Sequence, residues 1–119
     1  MPSDIRKKLD VYTRAFEGID DPYEVSDKEC RRINCNFDIQ FQYGEVTFMH
    51  FIPLIDFVKP KEGEVFYDLG CGTGKPAFIA ALQFPELAVC KGIELLDGLV
   101  DLANKIKVRL EEECEHNQI

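Results

Sequence analysis

The chain has 119 residues, room for one small domain and not two. Its 14 Lys and Arg stand against 22 Asp and Glu, a net charge of −8, which argues against a direct nucleic-acid surface, since phosphate binding rests on basic patches. The start MPSDIRKKLDV lacks the apolar stretch of a secretory signal, and no run nears the roughly 18 apolar residues of a membrane span.

Cys30, Cys35, Cys71, Cys90 and Cys114 are odd in number and lack C-x-x-C spacing, so no metal site is read from them. They fit reduced thiols in a nuclear or cytoplasmic protein. The acidic balance suits a basic partner.

Ser3 can cap a first helix carrying Ile5, Leu9, Tyr12 and Phe16 on one face, with Gly18 ending it. DDPYEVS reads as a loop. Ser26 and Glu29 stand in capping-box spacing and open a short helix to about Ile33. Asn34-Cys35-Asn36-Phe37 reads as a helix end and loop. Phe37, Ile39, Phe41 and Tyr43 then alternate as in a strand. From Thr47 the pattern is helical, burying Phe48, Phe51, Ile52 and Ile55, with a kink or restart expected at Pro53. A strand from Val65 leads into a glycine-rich turn, and Pro76 sits in the first turn of a buried helix that Pro85 ends. AVCKGIEL reads as a second buried strand closing at Glu94. Leu95, Leu99, Leu102, Ile106 and Leu110 mark one face of a long amphipathic helix, and EEECEHNQI an acidic, frayed tail.

The order strand, turn, helix, strand, helix predicts an α/β fold, the opening of a doubly wound parallel sheet preceded by N-terminal helices. Two strands do not complete such a sheet, so the chain reads as a fragment of a larger domain. Residues 1–58 form an N-terminal helical segment in this reading, and residues 59–119 the first half of the sheet domain.

The sharpest signal is VFYDLGCGTGK at residues 65–75. A dinucleotide fingerprint needs G-x-G-x-x-G, but the third glycine arrives one place early, at Gly74. A P-loop needs glycine where Leu69 stands and Ser or Thr where Pro76 stands. The spacing that fits is D-x-G-x-G-x-G: Asp68, Gly70, Gly72, Gly74. It resembles the first motif of class I S-adenosylmethionine-dependent methyltransferases. A carboxylate at the strand end suits that cofactor's α-amino group and sulfonium, and Glu94, 26 residues on, can accept from both ribose hydroxyls.

Upstream, Tyr43-Gly44-Glu45 ahead of this motif resembles the disruptor-of-telomeric-silencing family. These histone-lysine methyltransferases use a class I fold instead of a SET domain. The resemblance runs from about Phe41 to Lys105. It implies a loop at Tyr43 and Glu45 folded over the methionine end of S-adenosyl-L-methionine. Asp68, Gly70, Cys71, Gly72, Gly74 and Lys75 would line that end, with Glu94 and its neighbour Leu95 at the ribose. The chain departs from the family where Val46 follows the YGE string and Lys75 replaces an uncharged amide. A cation there needs a carboxylate partner.

The resemblance further implies methyl transfer to a lysine of a core histone, with the nucleosome as a possible partner. Two alternatives stay open: a class I methyltransferase for another protein or a small molecule, and a non-catalytic cofactor-binding fragment. No catalytic residue is assigned. The fragment alone is expected to be silent on histones, and its unpaired strand edge predicts self-association.

Overall fold

A computed structural model describes residues 3–34 and 43–114. Their elements are α1 (Ser3–Ala15), α2 (Pro22–Arg32), α3 (Phe48–Val58), β1 (Val65–Leu69), α4 (Lys75–Gln83), β2 (Val89–Ile93) and α5 (Asp97–Glu113). The expected strand leading into Tyr43 lies outside the described residues, as does the end of the acidic tail.

Helix α1 turns Tyr12 and Ala15 inward, with Ile5, Leu9 and Phe16 packed beside them, as its spacing predicts. Helix α2 begins four residues before the predicted capping box. Asp21 is the N-cap, its carboxylate accepting from the Tyr23 N–H at 3.0 Å, and Pro22 follows in the first turn. An aspartate cap with proline behind it outcompetes the Ser26–Glu29 box, because both features satisfy the first turn at no cost. Ser26 is instead buried inside the helix, and Glu29 pairs with Arg32 at 2.8 Å.

Thr47 caps α3, accepting from the His50 N–H, and Phe48, Phe51, Ile52 and Ile55 are its buried face. The expected restart at Pro53 does not occur: the helix runs through it as one element. Pro53 lies on the exposed side, where water can serve the carbonyl that proline leaves without a donor.

β1 and β2 are parallel neighbours joined through α4, with Phe66 opposite Cys90 and Asp68 opposite Gly92. The face carrying Phe66 and Cys90 packs on the helices, Phe66 meeting Phe51 edge-on at 6.3 Å. The other face departs from the buried strands read from sequence. Tyr67 and Leu69 are 54% and 77% exposed, and Ile93 is 55% exposed. An apolar run is the signature of a strand covered on both faces; among the described residues only one face is covered.

The larger of two cores among the described residues joins Tyr12, Phe48, Ile79, Ile106 and Leu110, drawn from α1, α3, α4 and α5. Arg109 on α5 donates to the Ala15 and Glu17 carbonyls, closing the end of α1, and Arg14 pairs with Glu113 at 2.6 Å. At the start of α5 the buried residue is Leu96, three before Leu99, while Leu95 is 67% exposed. Leu96 still has extended backbone, so the helical face starts there and Leu95 belongs to the linker. No described helix is long and apolar enough to cross a membrane.

Candidate functional site

The chain between β1 and α4 is built to turn. Gly70, Gly72 and Gly74 have φ of +80°, +57° and +91°, a region costly to residues with a Cβ. The Gly70 and Cys71 N–H groups both donate to the Ile93 carbonyl, at 2.8 and 3.0 Å, which ties the turn to the end of β2. Gly72 is constrained twice. A Cβ there would stand 2.7 Å from Cε2 of Tyr43. The Tyr43 ring thus lies against this glycine.

Tyr43 is placed by α2 and α5. Its ring meets Tyr23 edge-on at 4.9 Å and packs on the small core of Cys30, Leu96 and Leu99. Its hydroxyl donates to Glu45 at 2.6 Å. Burial, and then that hydrogen bond, push the phenol well above its ordinary range. The other oxygen of Glu45 accepts from the Lys75 ammonium, at the start of α4. This supplies the carboxylate partner that Lys75 requires. Both side chains are about four-fifths buried, and the ammonium also sits 5.3 Å from the Phe16 ring.

A cleft of about 370 Å³ opens here, lined by Tyr43, Glu45, Asp68, Gly70, Cys71, Thr73 and Lys75 among others. Two groups in it are unanswered. Asp68 ends the covered side of β1, and burial raises its pKa above the ordinary carboxylate value; no cation pairs with it among the described residues. Thr73 is 1% exposed, and its hydroxyl approaches the Tyr43 phenol, yet no hydrogen bond of ordinary geometry reaches it. Sequence reading passed over Thr73, although a hydroxyl among turn glycines is the available signal. It also missed Phe16 and Tyr23, whose roles depend on packing.

A second cleft of about 650 Å³ runs along β2 toward α5, lined by Gly74, Gly92, Glu94, Val100 and Asn104 among others. Cys71 lines both clefts, its thiol filling the place a side chain on Gly92 would need. Burial, then Asp68, then Glu94 push this thiol up to about 11, so it is neutral at physiological pH. The predicted residues therefore gather around one turn and line the two clefts, apart from Gly72, which lies in the turn beneath Tyr43, and Leu95.

A family model described as Histone methylation protein DOT1 matches residues 35–118, more than two thirds of the chain. The chain belongs to this family. Curated proteins and solved structures gave no match. In this DOT1-family chain the match leaves out α1 and α2, yet α1 brings Phe16 to Lys75 and α2 brings Tyr23 to Tyr43. The residues before the match thus help shape the site within it.

Proposed function

We propose that the protein is an S-adenosylmethionine-dependent methyltransferase whose acceptor is a lysine amine of a core histone, presented by the nucleosome. The observation that carries this reading is the pair of acids at the ends of the two strands. Asp68, near the end of β1, lines the first cleft, and Glu94, just beyond β2, lines the second. The unpaired Asp68 carboxylate and the orphaned Thr73 hydroxyl suit a ligand that brings a cation and polar groups of its own. Asp68 would hold the α-ammonium and Glu94 the two ribose hydroxyls, the latter needing acceptors and no cation. The cofactor, when bound, supplies an electrophilic methyl group.

Displacement by an amine asks the protein for in-line positioning and little covalent help. It also asks for a neutral lysine, which an apolar channel favours by disfavouring the charged form. Membership in a histone-methylation family and the net charge of −8 favour a basic histone as substrate. The open outer face of the two-stranded sheet favours a second reading, a cofactor-binding unit without turnover of its own.

A tritiated-methyl transfer assay tests this, with nucleosomes, free histones and small amines as acceptors and cofactor binding measured alongside. Label on histone lysine, reduced in Glu94→Ala at subsaturating cofactor, is the expected pattern, even if turnover is slow. Label confined to small amines would overturn the histone assignment. Binding without label in any acceptor would favour the non-catalytic reading.

A further inference from the structure

Resting on the proposed cofactor, we infer that Tyr23 of α2 is a positioning residue for the donor site. It holds the Tyr43 ring on the glycine turn and so keeps Glu45 and Lys75 at the first cleft. Tyr23 stands before residues 35–118, the stretch that matches the family, and lines neither cleft. The string Asp21-Pro22-Tyr23 fixes where its ring stands. Asp21 caps α2 and accepts from the Tyr23 N–H at 3.0 Å, and Pro22 presets the backbone ahead of it.

The helix that carries Tyr23 is seated on α5. A Cβ on Gly98 would stand 2.9 Å from Cγ1 of Val25 and from Cγ of Glu29, so α2 approaches α5 as closely as a glycine permits. At the far end of α2, Arg32 reaches from Glu29 to Asp97, at 3.7 Å from the latter. The Tyr43 ring is then held on three sides. Tyr23 meets it edge-on at 4.9 Å, Gly72 lies against it, and the small core of Cys30, Leu96 and Leu99 backs it. Edge-to-face pairs favour a narrow range of mutual angles, so the Tyr23 ring selects the tilt of Tyr43. That tilt aims the hydroxyl that donates to Glu45, whose other oxygen accepts from Lys75. Loss of Tyr23 therefore falls on the first cleft, while Glu94 in the second rests on β2 and α5.

Two ligands that share an adenosine half separate this role from a general loss of structure. S-adenosylmethionine carries the amino-acid end that the first cleft would hold, and 5′-methylthioadenosine lacks it. Both are titrated calorimetrically into the unchanged chain, Tyr23→Ala, Tyr23→Phe and Gly98→Ala. Tyr23→Ala should weaken S-adenosylmethionine by about tenfold and methylthioadenosine by about twofold or less, while Tyr23→Phe, which keeps the ring, changes neither by more than about twofold. Gly98→Ala should act as Tyr23→Ala does, because alanine favours helix α5 yet its methyl group displaces α2. Thermal melts identify a variant that fails to fold. NMR contacts between the Tyr43 ring and the core of Leu96 and Leu99 report the ring's placement without any ligand; they should be lost in Tyr23→Ala and kept in Tyr23→Phe. Equal weakening of both ligands, or unchanged affinity in Tyr23→Ala, overturns the role of Tyr23 alone, as does survival of those contacts. Failure of the unchanged chain to bind either ligand overturns the proposed cofactor and, with it, the role in its binding.

Discussion

At Gly72 conformation and contact act together, and this separates it from Gly70. Both have positive φ, but a Cβ on Gly70 would meet nothing within 4 Å, whereas one on Gly72 would meet the Tyr43 ring. Gly70→Ala should therefore cost about 1–2 kcal/mol, the conformational share alone. Gly72→Ala should cost more, and Tyr43→Ala in the same chain should return part of the difference in thermal melts. An additive result would mean that Tyr43 does not press on the turn. Asp68 makes a second prediction at this scale. Burial raises its pKa, so the folded chain takes up a proton at higher pH than the unfolded chain does. Its contribution to stability is full below the unfolded pKa and is lost as pH rises through the folded pKa. Asp68→Asn should thus raise the melting temperature at pH 7 and not at pH 3, while weakening cofactor binding. A lower melting temperature at pH 7 would show that the carboxylate has a stabilising partner.

The elements from β1 onward were legible because each has a single strong signal. The strand from Val65, the glycine turn, and the helical spacing of Leu99, Leu102, Ile106 and Leu110 all survive in the structure. What failed did so where two local signals compete or where the answer is tertiary. Ser26 and Glu29 matched a capping box, but Asp21 and Pro22 start the helix earlier and bury Ser26. The turn's glycines were legible as a motif, while the contact that Gly72 makes with Tyr43 spans 29 positions and leaves no local trace. Pro53 gives a prediction for α3. Proline in a helix interior removes a hydrogen bond and costs about 3 kcal/mol relative to alanine. Since Pro53 is exposed and the helix continues through it, Pro53→Ala should raise stability by about 1 kcal/mol or more in a denaturant melt. Loss of stability would show that the ring itself packs on a neighbour.

For the whole molecule, the larger core ties residues from before and after the glycine turn, while Tyr43 packs on the smaller one. The outer face of the sheet exposes Tyr67, Leu69 and Ile93 around Lys91, whose ammonium lies 5.8 Å from the Tyr67 ring, and exposed apolar side chains of this kind favour association. Sedimentation should show concentration-dependent self-association that Leu69→Lys reduces; a monomer at all concentrations would contradict this. The two described strands offer the cofactor side of a crevice, so methyl transfer by these 119 residues should be slow, and brisk transfer to free histones would place the lysine channel within them. The central claim is that the turn between Asp68 and Glu94 holds S-adenosylmethionine, and calorimetry on the chain tests it most directly. Titrations with S-adenosylmethionine and with NAD should show binding of the methyl donor only, weakened by about 1–3 kcal/mol in Glu94→Ala as ribose hydroxyls lose their acceptor. NAD binding as tight as that of the methyl donor, or an affinity indifferent to Glu94, would contradict it.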